Sequence, residues 1–154
     1  MPEKKLKEFL DKNKIKYISI KHSPAFTSQE VAQSVHISGK NFAKTVIIKI
    51  DNKIAMAVLP AKHLVDIDKL KEITGAEYIT FASEQEFENL FPGCEVGAMP
   101  PFGNLYNMEV YVAGALTKDD EFAFNAGTHT EVIKLSFTDF ERLVKPKIVQ
   151  LSVG

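Results

Sequence analysis

The stretch AKTVIIKIDNKIAMAVLP, residues 43–60, decides the fold. Ala43 to Ile50 is rich in β-branched residues. Asp51-Asn52 is a turn pair, and Ile54 to Leu59 returns as a second strand, so the stretch predicts a β-hairpin. In its first strand Lys44, Val46, Ile48 and Ile50 share one face, because side chains alternate. Three of the four are core formers. A lysine opening such a row costs desolvation unless something compensates it. Either it snorkels from the strand end into water, or it is kept there for chemistry. Lys49 lies on the opposite face and reads as ordinary solvated charge.

Before the hairpin, Leu6, Phe9 and Leu10 are spaced for a short amphipathic helix. Tyr17 to Ile20 reads as a strand, broken by His22-Ser23-Pro24-Ala25. Thr27-Ser28-Gln29-Glu30 is a capping-box pattern opening a helix that Gly39 can end. After the hairpin, Leu70 and Ile73 predict a helix closed by Gly75, and Glu77 to Phe81 a short strand. Ser83-Glu84-Gln85-Glu86 is a second capping box, with Phe87 and Leu90 behind it. Met108 to Val112 alternates like a strand. Lys118-Asp119-Asp120 is a turn, and Glu121 to Phe124 is expected to pair with what precedes it. Thr130 to Leu135 is a further strand. A last helix starts near Ser136 or Thr138 and runs to Val144, ahead of Pro146. No repeat or linker interrupts this order. The pattern predicts one α+β domain over residues 1–154 with a mixed sheet.

The bulk numbers exclude several classes. Of 154 residues, 45% are hydrophobic and 25% charged, as in soluble globular chains. The N-terminal segment is charged and lacks an apolar core, and no run is long enough for a membrane span, so a cytoplasmic protein is expected. The single cysteine, Cys94, fits a reducing compartment. With 19 basic and 20 acidic residues the net charge is −1, which argues against a tight general binder of DNA or RNA. It leaves room for local contact with one RNA end. His22, His36, His63, His129 and Cys94 are scattered, without close metal-ligand spacing, so no metal is expected. Phosphate-loop, dinucleotide and nucleophile-elbow motifs are missing.

Two further segments could carry chemistry. Gly97-Ala98-Met99-Pro100-Pro101-Phe102-Gly103 is stiffened by proline, and its glycines let backbone amides approach a ligand. Such a loop can hold a carbonyl or position a water; it can equally be a plain connection. Asn125-Ala126-Gly127-Thr128-His129 lies between two strands and puts His129 near a strand end. That histidine is either a proton shuttle or a structural group. His22, in the loop ahead of Thr27, could line a pocket.

The ordered features carry a resemblance. They are His22-Ser23-Pro24, then Thr27-x-x-Glu30-Val31-Ala32, and Ala43-Lys44-Thr45-Val46 opening a strand. Val58-Leu59-Pro60, Gly97-x-x-x-Pro101 running into Phe102-Gly103, and Phe124-Asn125-Ala126-Gly127 follow. In this order, from about His22 to Leu143, the chain resembles the YbaK family, the editing domains associated with prolyl-tRNA synthetase. The resemblance implies a mixed sheet of about seven strands flanked by helices. It implies hydrolysis of the ester between a small mischarged amino acid (alanine, serine or threonine) and the acceptor end of a tRNA, without metal or organic cofactor. The family's lysine maps to Lys44, its loop to Gly97 through Pro101, and the histidine of some members to His129. By the same resemblance Lys44, Gly97 and His129 are the catalytic set. His22, Thr27, Ala98, Met99, Pro100, Pro101, Phe102 and Gly127 would surround the substrate. Partners would be aminoacyl-tRNA and, at most, a synthetase, with neither membrane nor DNA. Many members carry an acidic residue where this chain has Ala113. The competing expectation is a non-catalytic module of the same fold that binds an aminoacyl or nucleotide group, or a protein.

Overall fold

The computed structural model describes residues 2–22, 41–118 and 120–154. The predicted Thr27 helix, and Thr27 itself as a substrate contact, lie outside the described residues.

The decisive hairpin forms as its sequence dictates. β2 (Ala43–Ile50) and β3 (Lys53–Pro60) pair antiparallel from Ala43↔Pro60 to Ile50↔Lys53. Asp51 and Asn52 both take positive φ, 48° and 73°, which the twist of a two-residue hairpin requires. The Asp51 carboxylate also accepts from the amides of Glu77 and Tyr78, fixing the next segment beside the turn. β1 (Tyr17–Lys21) precedes the hairpin. After it come β4 (Leu64–Val65), α2 (Ile67–Thr74) and β5 (Ile79–Phe81). Helix α1 (Pro2–Lys12) opens the chain, with Leu6 and Leu10 fully buried. In α2, Asp66 caps the N-terminus and Gly75, at φ 72°, the C-terminus. The Ser83–Glu86 capping box is present on both sides, but α3 (Glu84–Phe87) is a single turn.

β6 (Glu109–Ala113), β7 (Glu121–Asn125), β8 (Glu131–Ser136), α4 (Phe137–Val144), β9 (Lys147–Val149) and β10 (Ser152–Val153) complete the chain. The main sheet has five strands in the order β5-β2-β3-β6-β9, with β3, β6 and β9 parallel to one another. An antiparallel sheet β1-β8-β7 and a pair β10-β4 stand beside it. The architecture is α+β, but the sheet of about seven strands is divided into these three pieces. Another expectation fails: Glu121 to Asn125 does not pair with the strand before it. Both edges of β6 are taken, by β3 and β9, so β7 has no edge there to join. A 3-10 helix over Gly114–Lys118 carries the chain away, and β7 pairs with β8 instead.

Because β3 is central, it is buried on both faces. Met56 and Val58 join the larger core with Leu6, Leu10, Phe122, Phe137 and Phe140. Ala55, Ala57 and Leu59 join a second core with Ile48, Leu70 and Leu151. Lys49 is not a lone solvated charge: its ammonium lies 2.5 Å from the Glu86 carboxylate.

Candidate active site

Lys44 is the second residue of β2, and its face is the one expected. Val46, Ile48 and Ile50, on the same face, belong to the second core. Burial lowers the Lys44 pKa below the ordinary lysine value. Its register ties it to β7. A parallel bridge joins Phe42 to Ala123, and the Ala123 amide donates to the Asn41 carbonyl at 2.9 Å. Two residues on in each strand, on one face, stand Lys44 and Asn125. Asn125 is buried, and its Oδ1 has no hydrogen-bond partner among the described residues. An unmet acceptor of this kind is costly in a packed core and commonplace at a ligand site.

β7 then runs into the loop that holds Gly127 and His129, and here the second and third predicted segments meet. The Glu95 amide donates to Gly127 O at 2.9 Å, the Gly127 amide to Ala98 O at 2.8 Å, and the Ala98 amide to Glu95 O at 3.0 Å. The His129 amide donates to Glu95 Oε1 at 3.2 Å, and His129 Nε2 donates to Val96 O at 2.8 Å. A carbonyl can only accept, so Nε2 carries the ring proton. Gly97 and Gly127 take φ of 85° and 98°, which side-chain-bearing residues rarely adopt. A Cβ on Gly97 would sit 3.6 Å from His129 Cε1, so loop and imidazole lie in contact. Glu95, the carboxylate closing this latch, escaped the sequence reading; its only signal was its place two residues before Gly97.

The remaining predicted residues divide. Gly97 is exposed, whereas Ala98, Met99, Pro100, Pro101 and Phe102 are buried. Phe102 points into the larger core, its ring centroid 6.1 Å from Phe9, 5.5 Å from Phe124 and 5.4 Å from Phe140. Met99 belongs to the same core. These two side chains anchor the loop from behind. His22 is half-buried, and its amide donates to Thr130 O at 2.8 Å, beside the His129 turn. His63, which had nothing to recommend it in sequence, lies in the field of Lys44. Burial, then the Lys62 and Lys44 cations, lower its pKa. No group of three or more His, Cys, Asp or Glu among the described residues could hold a metal ion. No helix among them is long and apolar enough to cross a membrane.

Comparison with known proteins matches residues 22–143 to the family described as the aminoacyl-tRNA editing domain. The chain belongs to this family. The match takes in Lys44, the Gly97 loop and His129. Among relatives of the editing-domain chain, the Escherichia coli protein named multifunctional Ser/Thr-tRNA deacylase ProXp-y is 30% identical over 112 residues. That match covers 70% of this chain and 66% of the relative. A proline–tRNA ligase of Bacillus mycoides is 29% identical over 82 residues, 53% of this chain, and the match spans only 14% of the ligase. The fold recurs in the crystal structure of a candidate trans-editing enzyme for prolyl-tRNA synthetase, with a TM-score of 0.83. There the identity is 19%, with 99% of this chain and 98% of that one covered. A second solved structure, of a hypothetical protein, has a TM-score of 0.87 at 20% identity and covers 97% of this chain and 99% of the other.

Proposed function

We propose that this chain is a trans-acting deacylase that hydrolyses the ester of a small mischarged amino acid on tRNA. The observation that carries the reading is the latch between the Gly97 loop and the Gly127–His129 turn, formed next to the strand pair that presents Lys44. An aminoacyl ester is already reactive, so no serine or cysteine nucleophile is required. Orienting a water and stabilising the developing oxyanion suffice. Lys44 supplies a fixed positive charge at the ester carbonyl. The Gly97 N–H, which is not among the bonds of the latch, donates to the carbonyl oxygen or to the attacking water. His129 holds that loop in place, and the ribose hydroxyl beside the ester relays the proton.

A small pocket excludes large side chains by sterics. It discriminates weakly among small ones, because a methylene is worth only about 1–3 kcal/mol. Alanine, serine and threonine are therefore the expected class; the name of the Escherichia coli relative includes serine and threonine. The acceptor end of the tRNA is the expected partner, and the cytoplasm the expected compartment.

The test is a panel of tRNAs charged with alanine, serine, threonine and a larger amino acid, incubated with the purified protein while free amino acid is followed. Release from at least one small aminoacyl-tRNA, faster than spontaneous hydrolysis, is expected. No release from any of them, with RNA binding intact, would leave a non-catalytic module.

A further inference from the structure

The sheet end that presents Lys44 carries a second crevice. The parallel strands β3, β6 and β9 all finish there, at Pro60, Ala113 and Val149. Chain leaving the carboxyl ends of parallel strands opens a crevice outside them. Here it is a cavity of about 300 Å³ lined by His63, Lys69, Gly114, Lys118, Gln150 and Ser152.

Among the described residues of its lining, the charged side chains are the basic Lys69 and Lys118. Lys44 pairs with Leu59 at the end of β3, and the His63 amide donates to Pro60 O at 2.9 Å just beyond it, so the crevice and Lys44 share one end of the sheet. None of the ion pairs formed among the described residues uses Lys44, Lys62, Lys69 or Lys118. The carboxylate of Asp66 caps α2, accepting from the Lys69 amide at 3.1 Å, and is not part of the cavity lining. β6 enters the crevice on Ala113, which is buried and uncharged. In a chain of net charge −1, this crevice brings Lys69 and Lys118 together, and among the described residues that line it none is acidic. Ser152 Oγ is fixed 2.9 Å from His63 Nδ1, and the Gln150 amide adds a donor without charge. Among the described residues, no aromatic ring on which a base could stack lines the cavity.

We infer that this crevice seats a backbone phosphodiester of the RNA strand whose aminoacylated end lies at Lys44. The inference rests on the deacylase reading and adds to it a separate RNA-positioning site. Phosphate contacts fix the register of the strand while the reacting ester is handled elsewhere.

Gly114 supplies a clean probe. A Cβ there meets nothing within 4 Å, so Gly114→Asp places a carboxylate in the crevice and Gly114→Asn places its neutral isostere. A Lys69→Gln/Lys118→Gln double variant removes cations instead. Each would be compared with wild type on an aminoacyl-tRNA and on the same aminoacyl ester of adenosine, which lacks phosphate, after thermal melting confirms folding. Gly114→Asp and the double variant are expected to lose about tenfold more kcat/KM on the tRNA than on the adenosine ester, chiefly through KM. Gly114→Asn should lose far less. The slope of log(kcat/KM) against log salt should flatten by about 0.7 for each lysine that no longer meets a phosphate. Equal losses on the two substrates, or no loss on the tRNA, would overturn the inference.

A binding readout separates it from the deacylase reading. Fluorescence anisotropy of a labelled RNA trinucleotide CCA should show weaker binding to the double variant. If the wild type hydrolyses neither ester and the trinucleotide still depends on Lys69 and Lys118, the crevice stands and the deacylase fails. If hydrolysis depends on Lys44 while trinucleotide binding ignores the pair, the crevice fails alone. Displacement of the trinucleotide by inorganic phosphate at equal affinity would make this a free-phosphate site and defeat the RNA assignment.

Discussion

His129 Nε2 donates to the carbonyl oxygen of Val96 at 2.8 Å, across a sequence separation of 33 residues. One imidazole thereby pins the residue immediately before Gly97. The glycine loop is held from the side by β8's lead-in and from behind by the Phe102 core, with Gly97 itself exposed. Replacing His129 with alanine should lower deacylation of every aminoacyl-tRNA by a similar factor, about tenfold or more, mostly in kcat. Steady-state kinetics on two amino acids would check this. A loss confined to one amino acid would make His129 part of the selectivity wall.

Gly97→Ala should damage the same loop without crowding it. The Cβ would stand 3.6 Å from His129 Cε1, an ordinary van der Waals distance, so space is available. The penalty comes from φ of 85°, where a side chain costs about 1–2 kcal/mol. We expect a small drop in melting temperature and a much larger proportional loss of activity as the loop relaxes. A loss of stability without loss of activity would remove Gly97 from the site.

Lys44→Ala should reduce deacylation by about 10²-fold or more, as removing one electrostatic interaction at a transition state does. Burial lowers the Lys44 pKa, so its charge is lost on raising pH before that of an ordinary lysine. Activity corrected for spontaneous ester hydrolysis should therefore show an alkaline fall with an apparent pKa below 10.5, the unperturbed value. Lys44→Arg, which stays charged, should abolish that fall in whatever activity it retains. Activity of Lys44→Ala within threefold of wild type, with the fold intact, would refute the assignment.

Met99 and Phe102 should behave as core residues. Both lie in the larger cluster. Phe102→Ala should destabilise by about 3–5 kcal/mol and Met99→Ala by about 2–5 kcal/mol, from the apolar burial removed and the cavity left behind. Urea denaturation measures this. A change of amino-acid preference in Met99→Ala without such destabilisation would place Met99 at the substrate after all.

Glu131 is a buried acid that joins α1 to the small sheet. Its carboxylate lies 2.5 Å from Lys7 Nζ and accepts from Ser19 Oγ. Burial alone would raise its pKa; the bonds from Lys7 and Ser19, with the Lys7 and Lys21 charges, outweigh burial and lower it. Its contribution to stability is present above the ordinary glutamate range and is lost as pH falls through the depressed folded-state value. Glu131→Gln should cost about 1–3 kcal/mol at pH 7 and flatten the acid limb of the stability profile. An unchanged acid limb would show that other carboxylates control acid unfolding.

The sequence by itself determined the local structure. The hairpin from Ala43 to Pro60, the caps at Ser83 and Gly75, and the helix starting after Ser136 rest on alternation and on side chains that serve their own backbone. Such interactions close within a few residues. Lys44 was legible for the same reason, since alternation alone puts it at the head of an apolar row. Tertiary structure decided what depends on which edges remain free. β7 joins β8 because β3 and β9 already occupy β6. It also decided burial: the loop from Gly97 to Gly103 looks uniform in sequence, yet Gly97 faces solvent while Phe102 enters a core assembled from α1, β7 and α4. The latch from Glu95 and Val96 to Gly127 and His129, and the approach of His63 to Lys44, join residues far apart in the chain. Their hydrogen bonds and fields exist only once the strands have set the distances, and no local pattern encodes them.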